Sequence, residues 1–172
     1  MKIYNYIEQG GAIMYVLLLL NIVGVAIMLY KFFELTKEKK KTDQTATYLE
    51  KALGLSETNK HTSAIVELSK KELSSYMGKL ERGLNTVKII AAISPLIGLL
   101  GTVLGVLLAF KVMSQSGLNN PTNFAEGISL ALITTVGGLI VAIPHYIGHN
   151  YLIGILDELE IKNEKKLLTK VL

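Results

Sequence analysis

Three threonine hydroxyl groups lie inside long stretches of the chain that carry no charge. Thr102 belongs to the stretch from Ile89 to Phe110, and the stretch from Gly127 to Pro144 contains Thr134 and Thr135 side by side. A hydroxyl group orients water or hydrogen-bonds a carboxyl group, but it does not titrate near neutral pH. Two interpretations are open: each hydroxyl bonds the carbonyl four residues back in its own helix, or the hydroxyls form a shared polar layer. The matching depth of Thr102 and Thr135 in the two stretches favours the shared layer.

Side chains that titrate near neutral pH are absent from these two stretches and from a third, Gly10 to Tyr30. A proton relay needs such a group, so we expect another chain to supply the acid if this protein conducts protons. Glu126, just before the last stretch, is interpreted as a solvated residue at a helix start, where the helix dipole favours it. His145 and His149 follow that stretch, one helical turn apart. Because a third ligand is not evident, we predict interfacial histidines, no metal site and no cofactor.

Each uncharged stretch has about the 20 residues that cross a membrane as a helix. Hydrophobic residues make up 50% of the chain and charged residues only 19%, which excludes a water-soluble globular domain. The first stretch is interpreted as a retained helix, since no A-x-A cleavage site follows it. The sequence therefore predicts an all-α integral membrane protein with three transmembrane helices. The predicted membrane helices are 12–30, 89–110 and 127–147, and the remaining segments are 1–11, 31–88, 111–126 and 148–172.

The Lys and Arg residues predict the orientation, because cytoplasmic loops are enriched in them. Twelve of the 18 lie in residues 31–88 and four in 148–172, whereas 1–11 and 111–126 hold one each. We therefore predict an outward-facing amino terminus, a cytoplasmic loop and a cytoplasmic carboxyl terminus. Few aromatic residues lie among the basic ones, so the net charge of +4 is interpreted as topology in a lipid bilayer and not as nucleic-acid binding.

Hydrophobic residues continue at helical spacing outside the second and third stretches. They are Val66, Leu73, Met77, Leu80, Leu84 and Val87 before the second stretch, and Leu152, Leu156, Leu159, Leu167 and Val171 after the third. The spacing predicts long cytoplasmic helical extensions that pack with residues 32–53 into a bundle; helices lying on the membrane surface are the alternative. We expect a break at 54–59, and a short exposed turn at 114–123, where the sequence has no period.

Small residues follow one face of the second membrane helix and one face of the third. They are Gly98, Gly101 and Gly105 in the second helix, and Ala131, Gly138 and Ala142 in the third. Helices in lipid associate through close backbone approach and polar contacts, so we predict that these two helices pack against each other. Pro95 and Pro144 lack the amide hydrogen that bonds the carbonyl one turn back, and each is predicted to kink its helix. A tolerated kink and a water-accessible vestibule are both open interpretations.

Motifs of common enzyme classes do not occur in the sequence. It has no G-x-x-x-x-G-K-[ST], no G-x-S-x-G and no H-E-x-x-H. It also has no cysteine, which excludes disulfide bonds and thiolate metal sites. We therefore predict that the protein is not an enzyme and that it acts in the membrane.

Three stretches form a more specific pattern: EQGGAIMYVLLLL at 8–20, SPLIGLLGTVLGVLLAF at 94–110 and GISLALITTVGGLIVAIPHYIGHN at 127–150. This pattern resembles the ExbB/TolQ/MotA family of proton-channel stators. Three predicted spans with one sizeable cytoplasmic loop are similar to the ExbB and TolQ branch, whereas the MotA branch has four spans.

The resemblance implies an inner-membrane pentamer whose second and third spans line a central pore. The pore would enclose the single spans of an ExbD-like or TolR-like partner, each of which carries a membrane-embedded Asp. The family's threonines that match Thr102 and Thr135 face that Asp in the proton path, and we expect Thr134, beside Thr135, to line the pore with them. Proton flow would energise TonB or TolA. Sodium is the alternative ion, since hydroxyl groups and a carboxylate can coordinate it.

One position departs from the family's pattern. ExbB and TolQ commonly carry a Glu five residues before the threonine that Thr135 matches, and Leu130 occupies that position here. Either the partner's Asp suffices, with Thr102 and Thr135 holding water, or Glu126 substitutes in part; we favour the first. An ExbB-like role in TonB-dependent uptake is the leading hypothesis. A TolQ-like role in outer-membrane integrity and division, and a non-conducting membrane scaffold, are the alternatives.

Overall fold

Five helices make up the part of the chain that the computed structural model describes, which is residues 3–40, 62–116 and 121–171. In chain order they are α1 (Ile3–Gln9), α2 (Gly11–Lys40), α3 (Thr62–Glu81), α4 (Leu84–Ser116) and α5 (Pro121–Val171). Those residues contain no strand. Helices α2, α4 and α5 are long and apolar enough to cross a membrane. The prediction of an all-α chain with three candidate membrane-spanning helices is therefore confirmed.

The helices α4 and α5 are longer than the membrane segments predicted within them. They contain 33 and 51 residues, which correspond to about 50 and 76 Å of helix. A hydrocarbon core is only about 30 Å thick, so both helices extend well beyond one. Residues 114–116 and 121–123 of the predicted turn are helical, because α4 continues to Ser116 and α5 begins at Pro121, and residues 117–120 lie outside the described residues. A proline suits this first helical position, where its missing amide hydrogen costs no hydrogen bond.

The two prolines with predicted kinks lie inside continuous helices, Pro95 in α4 and Pro144 in α5. Beside Pro95, the buried Ser94 hydroxyl donates a hydrogen bond to the carbonyl of Ile90, at 2.7 Å. This bond does not replace the one that Pro95 removes, because the carbonyl four residues before the proline is that of Ala91. Neither proline ends its helix.

A glycine turn separates α3 from α4, although the spacing of Val66 to Val87 predicted a helix running directly into the second span. Helix α3 ends at Glu81 and α4 begins at Leu84. Gly83 between them has a φ of 94°, a conformation that costs glycine little and other residues more. The hydrophobic spacing continues across the turn, which is why the sequence pattern did not predict it.

The chain divides into two compact units, and α2, α4 and α5 contribute residues to both. The first unit comprises Met1–Ile27 and Thr86–Gly148. Its small core contains Leu17, Ile90 and Val141. Large apolar side chains on the outer surfaces of its helices are more than 60% exposed, among them Leu96, Leu107, Leu132 and Ile140. Such a surface suits lipid or other membrane helices, and not water.

The second unit comprises Met28–Asn85 and His149–Leu172. Its core joins residues of α2, α3 and α5 with the first residue of α4, and consists of Leu35, Leu73, Met77, Leu80, Leu84, Leu152, Leu156 and Leu159. Lys31 is buried in this unit and donates hydrogen bonds to the Glu34 carboxylate at 2.6 Å and to the carbonyl of Leu80 at 3.0 Å. The hydrophobic spacing of α3 and α5 thus corresponds to a packed bundle. Residues 41–53 of the predicted bundle and the predicted break at 54–59 lie outside the described residues.

Candidate functional site

Helices α4 and α5 approach each other so closely that their backbones touch. A Cβ atom placed on Gly98 would lie 2.8 Å from the carbonyl oxygen of Thr134, and one placed on Gly105 would lie 2.7 Å from that of Gly127. A Cβ atom on Gly138 would lie 2.6 Å from the carbonyl oxygen of Ser94. Real Cβ atoms essentially never approach other atoms to within 3.0 Å. The glycines predicted to pack these helices therefore lie at their contact.

The remaining small residues of the predicted packing faces are also buried. Ala131 is 1% exposed and its methyl group would lie 3.0 Å from a Cβ atom on Gly105, while Ala142 is 5% exposed. Gly101 faces the side chain of Thr134, whose Oγ1 would lie 2.3 Å from a Cβ atom on the glycine. Packing this close gives many direct van der Waals contacts between α4 and α5, and such contacts help to hold helices together in lipid.

Two hydroxyl groups meet across this contact. The Oγ1 atoms of Thr102 and Thr135 lie 2.5 Å apart, and either hydroxyl can donate the hydrogen bond. The carbonyl oxygen of Gly98 lies 3.3 Å from both hydroxyls, and that of Ala131 lies 3.5 Å from the Thr102 hydroxyl. Both threonines are half-buried. The hydroxyls therefore bond to each other across the two helices and also lie near backbone carbonyls, one of which belongs to Thr102's own helix.

Thr134 lies in a different environment from Thr135, its neighbour in the chain. Its side chain is fully buried. Its hydroxyl lies 3.1 Å from the carbonyl of Leu130 and 2.9 Å from that of Ala131, both in its own helix. The methyl and hydroxyl groups pack against Gly101. Thr134 thus fills space between α4 and α5 and satisfies its hydroxyl locally, as threonines in helices commonly do.

His145, which the sequence places at the inner end of the third predicted span, is fully buried in the first unit. Its Nδ1 atom lies 2.7 Å from the carbonyl oxygen of Val141, so Nδ1 carries the hydrogen and donates it. Its Nε2 atom has no hydrogen-bond partner among the described residues. The ring fills a notch at Gly24 of α2, where a Cβ atom would lie 2.1 Å from Nε2. The sequence interpretation did not foresee this contact, because a glycine and a histidine 121 positions apart share no pattern along the chain.

The described residues contain no cluster of three His, Cys, Asp or Glu side chains able to hold a metal ion. His149 is half-buried and lies in the second unit. Glu126 and Leu130, one turn apart on α5, line the same cavity of about 550 Å³ in the first unit. Glu126 is exposed there, and Leu130 is half-buried. The cavity places a carboxylate near one end of the α4–α5 contact.

Comparison with known proteins identifies the family. Residues 25–165 match the MotA/TolQ/ExbB proton channel family, which is most of the chain. The chain belongs to this family. The matched range includes all of α4, most of α5 and both hydroxyls of the Thr102–Thr135 pair. The resemblance drawn from the three sequence stretches is confirmed, and the chain is a multi-pass inner-membrane protein of a proton channel family.

Several relatives in the MotA/TolQ/ExbB family carry the name biopolymer transport protein ExbB. That of Aquifex aeolicus is 43% identical over 75 residues, which cover 44% of this chain and 51% of the relative. That of Helicobacter pylori is 41% identical over 83 residues, covering 48% of this chain and 57% of the relative. A putative ExbB homolog of Methanothermobacter thermautotrophicus is 39% identical over 82 residues, which cover 29% of its length. The chain therefore spans about half, or less, of the relatives it matches.

Proposed function

We propose that this chain is an ExbB-like subunit of an inner-membrane motor that couples the proton-motive force to TonB-dependent transport at the outer membrane. Five copies would form a ring in which α4 and α5 line a central pore. An ExbD-like single-span protein inside the pore would supply a membrane-embedded Asp. The family match and the relatives named biopolymer transport protein ExbB support this role in energy coupling. The same names favour the ExbB-like role over the TolQ-like alternative.

The observation that carries the proposal is the pair of half-buried hydroxyls, Thr102 and Thr135, at the α4–α5 contact. A pair of hydroxyls 2.5 Å apart can accept one hydrogen bond and donate another. It can therefore hold water or a protonated carboxyl group without itself changing charge. We assign Thr102 and Thr135 to the proton path and Thr134 to helix packing, since Thr134 is fully buried and bonded within α5.

A proton-carrying acid is missing from the predicted spans of this chain. Residues 12–30, 89–110 and 127–147 contain no Asp or Glu, and their one histidine, His145, lies at the inner end of the last span with its Nδ1 hydrogen bonded to the carbonyl of Val141. Proton transfer through a membrane requires a group that gains and loses a proton. Leu130 occupies the position where relatives commonly carry Glu, so the partner's Asp is the proton carrier in our proposal. Thr102 and Thr135 then act as the neutral hydrogen-bonding surface that this Asp meets.

The orientation in our proposal follows from the basic residues. Twelve Lys and Arg lie in residues 31–88 and four in 148–172. Cytoplasmic segments are enriched in these residues, so the second unit faces the cytoplasm and the amino terminus faces the periplasm. Protons then enter near the start of α5 and leave towards its carboxyl end. Alternating protonation of the partner's Asp would change its affinity for the hydroxyl pair and so rotate or rock the partner within the ring.

The test is proton flux into liposomes that hold this protein with and without the ExbD-like protein of the same organism, under an imposed pH gradient and potential. We expect flux only when both chains are present. Thr135→Val keeps the side-chain shape and removes the hydroxyl, so it should leave the oligomer intact and lower the flux at least tenfold. Thr134→Val is the matched control next to it, and we expect it to conduct like the unaltered protein.

Three results would contradict parts of this proposal. Flux from this chain alone would show that the acid is not supplied by a partner. Undiminished flux in Thr135→Val would remove that hydroxyl from the proton path. Absence of flux with both chains present, in a complex that assembles, would favour a non-conducting scaffold.

A further inference from the structure

An apolar groove lies between α2 and α5 in the first unit. It has a volume of about 690 Å³. Its lining extends from Met14 to Asn21 on α2 and from Leu132 to Val141 on α5, and Tyr6 of α1 also contributes. Tyr6 and Asn21 are the polar lining residues, and all the others are apolar. A groove with this lining suits a hydrocarbon ligand.

The groove opens onto the lipid-facing surface of the first unit. Of its lining residues, Leu17 and Val141 are buried, whereas Leu132 and Ile140 are more than 60% exposed. The buried residues form the floor of the groove and the exposed ones form its edge. That edge belongs to the apolar outer surface that suits lipid. A lipid molecule can therefore enter the groove directly from the bilayer.

The groove is about as long as one leaflet of a bilayer is thick. Leu132 and Val141 are nine residues apart, which is about 14 Å along α5. Half of a hydrocarbon core is about 15 Å thick. On α2 the lining ends at Asn21, the middle residue of the predicted span 12–30. The groove therefore extends through one leaflet, the one nearer the amino terminus of α2.

A contact between α2 and α5 closes the inner end of the groove. Gly24 follows Asn21 by three residues, and His145 follows Val141 by four. A Cβ atom on Gly24 would lie 2.1 Å from Nε2 of His145, so the two helices touch there. A membrane-spanning helix needs a groove through both leaflets, whereas an acyl chain needs one leaflet only. The closed end therefore favours an acyl chain over a helix of a second copy.

The volume of the groove is large enough for a single acyl chain. A dry cavity of about 150 Å³ holds one benzene molecule with its six carbon atoms. At that density, about 690 Å³ has room for a chain of about 16 to 18 carbon atoms, the usual length in phospholipids. An acyl chain that leaves the bilayer gains no hydrophobic free energy, so its binding depends on van der Waals contact. A groove with a buried floor provides that contact on several sides.

We infer that the groove binds one acyl chain of a membrane phospholipid, with the last carbon near Asn21 and the head group beyond Tyr6. Tyrosine is enriched where spans meet the head groups. Within the predicted span 12–30, all of which the structure describes, only Leu17 and Gly24 are buried. The bound acyl chain fills the space beside these two residues and holds α2 against α5. The inference does not depend on the proposed function.

Native mass spectrometry of the purified, detergent-washed protein is the first test. We expect one bound phospholipid per copy of the chain. Leu18 lines the groove, so Leu18→Trp should lower the bound fraction about tenfold, because overpacking opposes binding of the acyl chain. Leu19→Trp is the matched control, since Leu19 does not line the groove and is 61% exposed. This control should retain the phospholipid.

Photo-cross-linking in liposomes locates the acyl chain in the unaltered protein. The probe is phosphatidylethanolamine with one acyl chain that ends in a photoreactive diazirine group. When this chain lies in the groove, its end is near Asn21 and Val141, and the peptides that contain these residues should carry most of the label. Leu18→Trp should remove this label and keep the weaker labelling of exposed residues such as Leu107 on α4, which is 62% exposed.

Three results would overturn the inference. The first is even labelling of the three spans, which would show that lipid only surrounds the protein. The second is equal phospholipid retention by Leu18→Trp and Leu19→Trp. The third is an unaltered protein without phospholipid whose oligomer dissociates in Leu18→Trp, because the groove would then hold a second copy. Neither measurement involves proton flux, so this inference and the proposed function can fail separately.

Discussion

Substituting Gly101 by alanine tests the contact between α4 and α5 most directly. The new Cβ atom would lie 2.3 Å from Oγ1 and 2.5 Å from Cβ of Thr134, and ordinary contact begins at 3.4 Å. Rotation of the Thr134 side chain moves Oγ1 but not Cβ, so the helices must separate. A separation of about 1 Å removes the overlap. The substitution therefore acts on the distance between the two helices and not on local helix formation.

The size of the effect follows from two opposing contributions. Overpacking of a close contact costs about 1–3 kcal/mol, whereas alanine in place of glycine favours a helix by about 1 kcal/mol. We expect a net loss of up to about 2 kcal/mol in the free energy of unfolding. A 1 Å separation would also move the Thr102 and Thr135 hydroxyls from 2.5 Å apart to about 3.5 Å, beyond hydrogen-bonding distance. Proton flux with the partner should therefore fall together with stability.

The assay is unfolding of the purified protein in mixed micelles by increasing sodium dodecyl sulfate, read by loss of helical circular dichroism. Gly154→Ala is the matched control, because a Cβ atom on Gly154 of α5 meets no atom within 4 Å. This control should be as stable as the unaltered protein or slightly more stable. In the double variant Gly101→Ala with Thr134→Gly, the new methyl group occupies the space that the threonine leaves. We expect a favourable coupling of at least about 1 kcal/mol between the two changes.

The predicted clash would be refuted if Gly101→Ala were as stable as Gly154→Ala. It would also be refuted if the effects of Gly101→Ala and Thr134→Gly were simply additive, because the two residues would then not be in contact. If Gly101→Ala kept its stability but lost proton flux, the flux would depend on the distance between the two hydroxyls and not on the stability of the helix contact.

Two further predictions concern other contacts. Gly24→Ala should lower the free energy of unfolding by about 2 kcal/mol, because its Cβ atom would lie 2.1 Å from Nε2 of His145. The same micelle assay measures this loss. If the loss disappears when His145 is also replaced by alanine, the histidine ring is its cause. Hydrogen bonds from Lys162 and Lys39 lower the pKa of Glu158 from its ordinary value of 4.5 to about 2. Its contribution to stability is therefore present above pH 4.5 and is lost as the pH falls towards 2. Carboxyl carbon NMR should show this low midpoint, and Lys162→Met should raise it; a midpoint near 4.5 in the unaltered protein would contradict the ion pairing.

The membrane helices and the α4–α5 contact could be predicted from the sequence because both are periodic. A charge-free stretch of sufficient length has few alternatives to a membrane helix. The glycines at 98, 101 and 105 repeat at a spacing that places them on one helix face, so their approach to α5 was expected. The matching depth of Thr102 and Thr135 favoured a shared polar layer, and the structure places their hydroxyls 2.5 Å apart.

Other features depend on three-dimensional packing, which a single sequence does not contain. The rotation of α5 decides that Thr134 is buried and Thr135 half-buried, and adjacent residues of the same type give no sign of that difference. The burial of His145 depends on the notch at Gly24 in another helix. The turn at Gly83 was hidden because the hydrophobic spacing of α3 continues into α4.

The glycine contacts also determine which parts of a working complex can change shape. Packed helices slide past one another by exchanging side-chain rotamers at their interface. Gly98, Gly105 and Gly138 leave no side chains to exchange, since backbone meets backbone at these positions. In the proposed motor the α4–α5 pair would therefore be the stationary wall, and the movement that does work would take place in the partner or between neighbouring copies. A methyl group added at one of these glycines would then impair transport as severely as a change in the proton path, although it would lie outside that path.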